Sequence, residues 1–78
     1  MNINPLPLDR LLIGQKGVVT EIDAPESEKR RFRALGLISG TTVQSLHKSP
    51  SGDPTAYFIR GTVIALRNTD AEKVLVIS

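Results

Sequence analysis

His47 is the only histidine in the 78-residue chain and the first side chain considered for chemistry. An imidazole can bind a metal ion together with a carboxylate such as that of Asp53. A metal site needs three or four ligands, however, and the sequence contains no cysteine and no cluster of His, Asp and Glu at metal-binding spacing. His47 is therefore the one candidate ligand. The favoured interpretation is a strand-end residue that faces water, with no bound metal or cofactor.

Positive charge is concentrated in one short segment. Four of the ten basic residues are Lys29, Arg30, Arg31 and Arg33, while the net charge of the whole chain is only +2. Such a cluster could dock onto an acidic protein surface or onto anionic lipid headgroups. The favoured alternative is a solvated helix face whose cations complement the helix dipole. Lys29, Arg30 and Arg33 are kept as candidate partner-binding residues.

A second candidate binding element is the loop of residues 49–54, which has the sequence SPSGDP. Pro50, Gly52, Asp53 and Pro54 are its candidate recognition residues. Ordinary turn chemistry is the favoured alternative, in which Gly52 supplies a positive φ and Asp53 bonds its own backbone.

The sequence shows no pattern typical of an enzyme. No Ser-His-Asp set can be assembled around His47, and the GQKG segment of residues 14–17 lacks the spacing of a phosphate-binding loop. With an aromatic content of 4%, the chain also lacks the stacking rings of a sequence-tolerant single-strand binder. We therefore expect a protein without enzymatic activity.

The basic cluster lies on a predicted helix over residues 26–35. Asp23, followed three residues later by a glutamate, predicts the N-cap, with Ser27 as the alternative. Gly36 is predicted to end the helix in a left-handed conformation, and Leu37 to fold back onto Phe32 as in a Schellman motif.

Four apolar residues outside this helix are predicted to lie mainly in the core: Leu37, Ile38, Tyr57 and Phe58. Because Phe58 and Ile59 point to opposite faces of one strand, one of the two is expected to be exposed. An exposed apolar patch would mark a protein contact. Leu37 and Ile38 are also kept as candidate partner-binding residues.

Five strands are predicted, over residues 17–23, 41–48, 55–60, 62–67 and 73–77. In the first, Val18, Thr20 and Ile22 share the face that is predicted to be the core. The second should contain a bulge, because its apolar residues differ in parity. A tight hairpin turn is expected at residues 60–62.

These elements predict a single domain, over residues 1–78, that is mainly β: a small barrel of about five strands with one short inserted helix. Residues 1–7 should form an extended lead-in, and Leu8, Leu11 and Leu12 should form the apolar side of a short helical turn. The N-terminal residues lack the pattern of a signal peptide, and no apolar run is long enough to span a bilayer. A cytoplasmic location is therefore expected.

Three sequence motifs occur in a fixed order along the chain: RRFRALGLISGTTV, then SPSGDPT, then VIALR. Together they resemble the FeoA family, over roughly Leu11 to Ile77. The resemblance implies an SH3-like barrel and a small cytoplasmic protein encoded beside a large membrane ferrous-iron permease that carries a G-protein domain. Glu28 and Arg33 depart from the family pattern, in which apolar residues are usual at these positions.

The resemblance implies an accessory or regulatory protein of bacterial ferrous-iron uptake. It would bind the cytoplasmic part of the FeoB-type permease and shift the equilibrium between the permease's states. No nucleic-acid partner and no membrane span are expected, and weak self-association is left open. The alternatives are a nucleic-acid-binding SH3-like barrel that uses the patch of residues 29–33, and a metal-sensing module that uses His47.

Overall fold

Short strands and helical turns alternate along the computed structural model, which describes residues 4–78. The elements are β1 (Leu6–Pro7), a 3₁₀ turn (Leu8–Arg10), β2 (Lys16–Ile22), α1 (Glu26–Ala34), β3 (Thr42–Lys48), β4 (Thr55–Ile59), β5 (Thr62–Leu66), α2 (Asn68–Ala71) and β6 (Val74–Ile77). The first three residues of the predicted lead-in lie outside the described part of the chain. Within that part, no helix is long and apolar enough to cross a membrane.

All six strands belong to one antiparallel sheet, in the order β1-β6-β2-β3-β4-β5. The predicted mainly-β barrel is confirmed, and its five predicted strands are all present. The additional strand is the two-residue β1, in which Leu6 lies opposite Val76 and Pro7 opposite Leu75. Because β6 therefore has a partner strand on each side, its almost uninterrupted apolar sequence is accommodated.

One apolar cluster forms the core. Its buried members are Leu8, Leu11, Val19, Phe32, Leu37, Val43, Tyr57, Ile59, Leu66, Ala71, Val74 and Val76. Side chains from β5, at one end of the sheet order, share this cluster with residues next to β1, at the other end. The sheet must therefore curl around the core, as it does in a small barrel.

The core face of β2 differs from the prediction. The prediction placed Val18, Thr20 and Ile22 on the core face. It is wrong for the start of the strand, where Val19 is buried and Val18 is exposed. A bulge between Val19 and Glu21 shifts the register against β6. Since the extra residue reverses the alternation of side chains, Val19 and Ile22 both contact the core although they are three residues apart.

The bulge predicted in β3 is confirmed and lies between Ser45 and His47. The hairpin predicted between β4 and β5 is confirmed as well. Its two central residues, Arg60 and Gly61, have φ angles of 51° and 83°, as a type I′ turn requires.

The predicted N-cap of α1 is wrong, because the helix begins directly after Pro25 and has no side-chain cap. The carbonyl of Pro25 accepts hydrogen bonds from the backbone N–H groups of Glu28 and Lys29, at 2.9 and 3.0 Å. The Asp23 N–H instead donates to the Lys73 carbonyl at 2.7 Å. This bond holds the segment before the helix beside β6 and draws Asp23 away from the helix start.

The predicted Schellman motif at the other end of α1 is confirmed. Gly36 has a φ of 91°. Its N–H donates to the Arg33 carbonyl, the Leu37 N–H donates to the Phe32 carbonyl, and both distances are 3.0 Å. The side chains of Phe32 and Leu37 are both completely buried in the core. This turn therefore fixes the C-terminal end of the helix against the barrel.

Candidate partner-binding surfaces

Helix α1 is attached to the barrel through its charged residues as well as through Phe32. The Arg31 guanidinium donates two hydrogen bonds of 3.0 Å to the Asp70 carboxylate on α2. One turn earlier in α1, Glu28 Oε1 lies 2.7 Å from Lys73 Nζ. Bidentate and charge-assisted contacts fix orientation as well as distance. The helix therefore presents its remaining side chains in a defined direction.

Glu28 and Arg33, the two helix residues at which the sequence departs from the expected pattern, each have an oppositely charged partner. The hydrogen bond between Glu28 and Lys73 raises the pKa of the lysine ammonium. Arg33 pairs with Glu26 at the start of the same helix, and the pairing lowers the pKa of that carboxyl.

The predicted basic patch is therefore divided. Arg31 and Arg33 are in ion pairs, whereas Lys29 and Arg30 make none with any residue of the described part of the chain. These two cations without an ion pair are fewer than the four-residue cluster suggested by the sequence. The patch is accordingly a smaller electrostatic site than predicted.

A shallow groove of about 210 Å³ lies beside Lys29 and is called the helix groove here. It is lined by Glu21, Ile22, Lys29, Arg33, Leu37, Ile38 and Ser39. Ile38 is 40% exposed at this groove, whose charged lining residues are two cations, Lys29 and Arg33, and one carboxylate, Glu21. An exposed apolar side chain within a charged rim is typical of a protein contact site.

Leu37 must be removed from the candidate contact residues. Its side chain is completely buried because the Schellman turn folds it onto Phe32. The sequence predicted both a core position and a partner contact for Leu37, and only the core position agrees with the structure. Ile38, the next residue and itself one of the predicted candidates, is exposed.

The loop of residues 49–54 joins β3 to β4 and is hydrogen-bonded to the start of α2. Gly52 has the predicted positive φ, of 88°. Asp53 does not bond its own turn as predicted. Its Oδ1 accepts a hydrogen bond from the Asn68 backbone N–H at 3.1 Å, and Asn68 Nδ2 donates to the Gly52 carbonyl at 3.2 Å. Asp53 thus satisfies the first free N–H of α2 from a distant part of the chain.

Two prolines flank the loop segment that is hydrogen-bonded to Asn68. Pro50 is exposed and Pro54 is half-buried. Since Gly52 and Asp53 already bond to Asn68, Pro50 is the loop residue most available to a partner. The loop remains a candidate surface.

His47 is exposed on β3, next to the bulge. Within residues 4–78, no group of three or more His, Cys, Asp or Glu side chains is arranged to hold a metal ion. His47 therefore has no companion ligands among the described residues.

Sequence reasoning predicted that Phe58 or Ile59 would be exposed, which is confirmed, but it missed the wider apolar surface on the outside of the sheet. Phe58, predicted mainly as core, is 43% exposed, and Val63, directly opposite it on β5, is 58% exposed. The alternation of residues in β4 indicated the exposure of Phe58, because its neighbours in sequence, Tyr57 and Ile59, are both buried. The start of β2, which is separated from β4 by β3, was assigned the wrong face, so the outer surface could not be assembled from the sequence.

The ion pair between α1 and α2 predicts a dependence of stability on pH. The hydrogen bond from Arg31 holds the pKa of the Asp70 carboxyl below its ordinary value of 3.8. The pair therefore stabilises the fold above about pH 4, and this contribution is lost as the pH falls through the lower folded-state pKa. Asp70→Asn should slightly lower the thermal unfolding midpoint at neutral pH and flatten its decrease below about pH 4.

Circular dichroism melts over a series of pH values measure this effect. Asp23→Asn is the matched control, since the Asp23 carboxylate is exposed and makes no ion pair within the described residues. An Asp70→Asn variant with the same acid dependence as the control would show that the pair does not stabilise the fold.

Comparison with known families identifies one domain model. The FeoA domain model matches residues 6–78, which is nearly the whole chain. No curated protein sequence matches the chain.

Solved structures of similar fold include several FeoA proteins. The FeoA-like protein from Clostridium acetobutylicum has a TM-score of 0.87 and 30% identity, covering 97% of this chain and 87% of its own. The zinc complex of FeoA from Stenotrophomonas maltophilia, described as a prokaryotic SH3 domain protein, has a TM-score of 0.78 and 32% identity, covering 88% of this chain and 86% of its own.

A more distant likeness concerns the fold alone. A manganese-dependent transcriptional repressor has a TM-score of 0.84 at 20% identity, and the match covers all of this chain but only 44% of the repressor. The same barrel therefore occurs as one part of a larger regulatory protein.

Proposed function

The chain belongs to the FeoA family, an accessory domain family of iron transport, and from this membership we propose that it acts without catalysis by binding the cytoplasmic part of a membrane ferrous-iron permease. The observation that carries the proposal is the match of the FeoA domain model to residues 6–78. All of the strands and both helices lie inside these limits. The proposal therefore concerns the whole folded unit, acting on the cytoplasmic side of the membrane.

The helix groove is the surface proposed to contact the permease. Ile38 offers exposed apolar area, while Lys29 and Arg30 have no ion-pair partner within residues 4–78. An acidic patch around an apolar residue on the permease would complement this arrangement. Because α1 is held by the Arg31–Asp70 and Glu28–Lys73 pairs, little ordering is required when the partner binds.

Binding alone is sufficient for regulation. If the domain binds one conformational or nucleotide state of the permease more tightly than another, it shifts the permease toward that state. At saturation, the equilibrium constant between the two states changes by a factor equal to the ratio of the two affinities. The affinities for each nucleotide state are therefore the quantities to measure.

Isothermal titration calorimetry tests the proposal with the complete protein and the soluble G domain of the permease, loaded in turn with GDP or a GTP analogue. We expect saturable binding that differs between the two nucleotide states. The double variant Lys29→Glu with Arg30→Glu should bind at least about tenfold more weakly, because it reverses the charge of the contact. Arg10→Glu, an exposed change on the 3₁₀ turn, is the control for the effect of a single charge reversal. Absence of binding in every nucleotide state would contradict the proposal for this domain.

A further inference from the structure

We propose that the outer face of the sheet is a second docking surface, and that it binds an acidic segment of a partner protein with an apolar side chain at its centre. The inference goes beyond the proposed function, because it concerns a different surface from the helix groove and does not depend on which protein supplies the segment. It rests on three observations: a row of side chains across the sheet, a groove at that row, and the distribution of charge.

The register of the sheet aligns one row of side chains across four strands. Lys16 on β2 lies opposite Gln44 on β3, Gln44 lies opposite Phe58 on β4, and Phe58 lies opposite Val63 on β5. Directly paired residues of antiparallel strands share a face, and Phe58 is flanked by inward-facing neighbours, so this row faces outward. The row combines a cation, an amide and two apolar side chains.

An open groove of about 440 Å³ lies on this face. Its lining includes Lys16, Thr42, Gln44, Phe58, Arg60 and Gly61. Phe58 provides aromatic surface for an apolar anchor, and the threonine and glutamine side chains provide hydrogen-bonding groups. A concave site of this kind suits an inserted chain segment better than a flat lipid surface.

The charged residues that line the groove, Lys16 and Arg60, are both cationic. Its lining includes no carboxylate, and neither Lys16 nor Arg60 makes an ion pair with any described residue. Along residues 29–69 the sequence contains a single acidic residue, Asp53, and that carboxylate is hydrogen-bonded to the backbone of Asn68. Cations without local counter-charges attract an anionic partner and suppress cationic ones.

Two other occupants fit the groove less well. A second copy of the chain would bring the same cations face to face, and like charges directly opposed are unfavourable. Single-stranded nucleic acid needs several stacking rings along a continuous basic track, whereas Phe58 is the only aromatic residue of the groove lining. An acidic peptide with one apolar anchor matches both the charge and the single ring.

Fluorescence anisotropy tests the inference with the complete protein and a labelled synthetic peptide of glutamates around a central Leu-Phe pair. Two comparison peptides separate the contributions: one replaces the glutamates with lysines, and the other replaces Leu-Phe with Ser-Ser. We expect the glutamate peptide with Leu-Phe to bind at least about tenfold more tightly than either comparison peptide.

Three variants test the groove itself: Phe58→Ser, Lys16→Glu and Arg60→Asn. Asparagine tolerates the positive φ of 51° at position 60 better than most residues do. Each variant should weaken peptide binding about tenfold. Leu12→Ser, at a side chain that is 72% exposed, and Arg10→Glu, on the 3₁₀ turn, are matched controls that should leave binding within about twofold.

Circular dichroism melts establish that each variant is folded before its affinity is interpreted. Groove variants that bind the peptide as the wild type does would overturn the inference. So would equal binding of the lysine peptide. Tighter binding of oligo(dT) with a steep loss of affinity in salt would assign the face to nucleic acid. A Phe58-dependent dimer in sedimentation would assign it to a second copy. Because the calorimetric test of the helix groove uses other residues and another partner, either proposal can fail while the other stands.

Discussion

Replacing Phe32 with alanine is expected to lower the free energy of unfolding by about 3–5 kcal/mol. The ring is completely buried, and its helix is held to the barrel through it. Removing the ring leaves a cavity below α1 and deletes its contact across the Schellman turn with Leu37. A domain of this length has a total stability of only about 4–12 kcal/mol. The loss is therefore about a quarter or more of the total stability, so the variant should unfold at a much lower urea concentration than the wild type.

The two phenylalanines of the chain provide a matched pair for this test. Phe58 is 43% exposed on the outer face, so Phe58→Ala should change stability by only about 0.5 kcal/mol. Urea unfolding followed by circular dichroism measures both variants on one scale. Equal losses would mean that Phe32 is not the residue that joins α1 to the core.

Leu8→Ala is the second large effect expected, with a loss of about 2–5 kcal/mol. Leu8 is completely buried although it lies near the start of the described chain, in the 3₁₀ turn that follows β1. Its side chain belongs to the core cluster together with residues of β6 and α2. The N-terminal segment is therefore part of the folded unit, and shortening this side chain should destabilise the whole barrel.

Leu12→Ala is the control for Leu8, since the Leu12 side chain is 72% exposed. We expect a change within about 0.5 kcal/mol. The sequence predicted that Leu8, Leu11 and Leu12 share one side of a helical turn. In the structure the turn is 3₁₀, with three residues per turn, so Leu8 and Leu11 share the buried side while Leu12 does not. If both variants lost the same stability in urea titrations, this assignment would be wrong.

Local signals in the sequence predicted the features that local chemistry decides. Gly36 predicted the end of α1 because only glycine adopts its φ readily, and the nearby leucine supplied the matching contact. The hairpin at Arg60 and Gly61 was predicted because almost no residues separate two β-forming runs. In both cases the residues that determine the structure lie within a few positions of one another.

Features determined by distant contacts were not predictable in the same way. Glu28 and Lys73 pair across 45 positions, and Asp53 and Asn68 across 15. The bulge in β2 was missed because it depends on the register against β6, which comes last in the sequence. Such contacts depend on the strand order, and the strand order could not be read from local patterns.

In the candidate surfaces too, the sequence predicted the local features and not the contacts between distant residues. The sequence located the cations of α1 but could not show that Asp70 and Glu26 pair with Arg31 and Arg33. It also could not align Lys16, which lies on β2, with the exposed aromatic residue of β4. Both surfaces consist of residues that only the folded sheet and helix bring together.

Amide NMR of the isotope-labelled protein, titrated with the soluble G domain of the permease, tests the central claim most directly. The account predicts shifts that saturate and cluster on residues 29–38, with Lys29, Arg30 and Ile38 among the most affected. Shifts on the outer row instead would move the permease contact to the second surface. A spectrum that does not change with the G domain in either nucleotide state would contradict the claim that this domain acts by binding it.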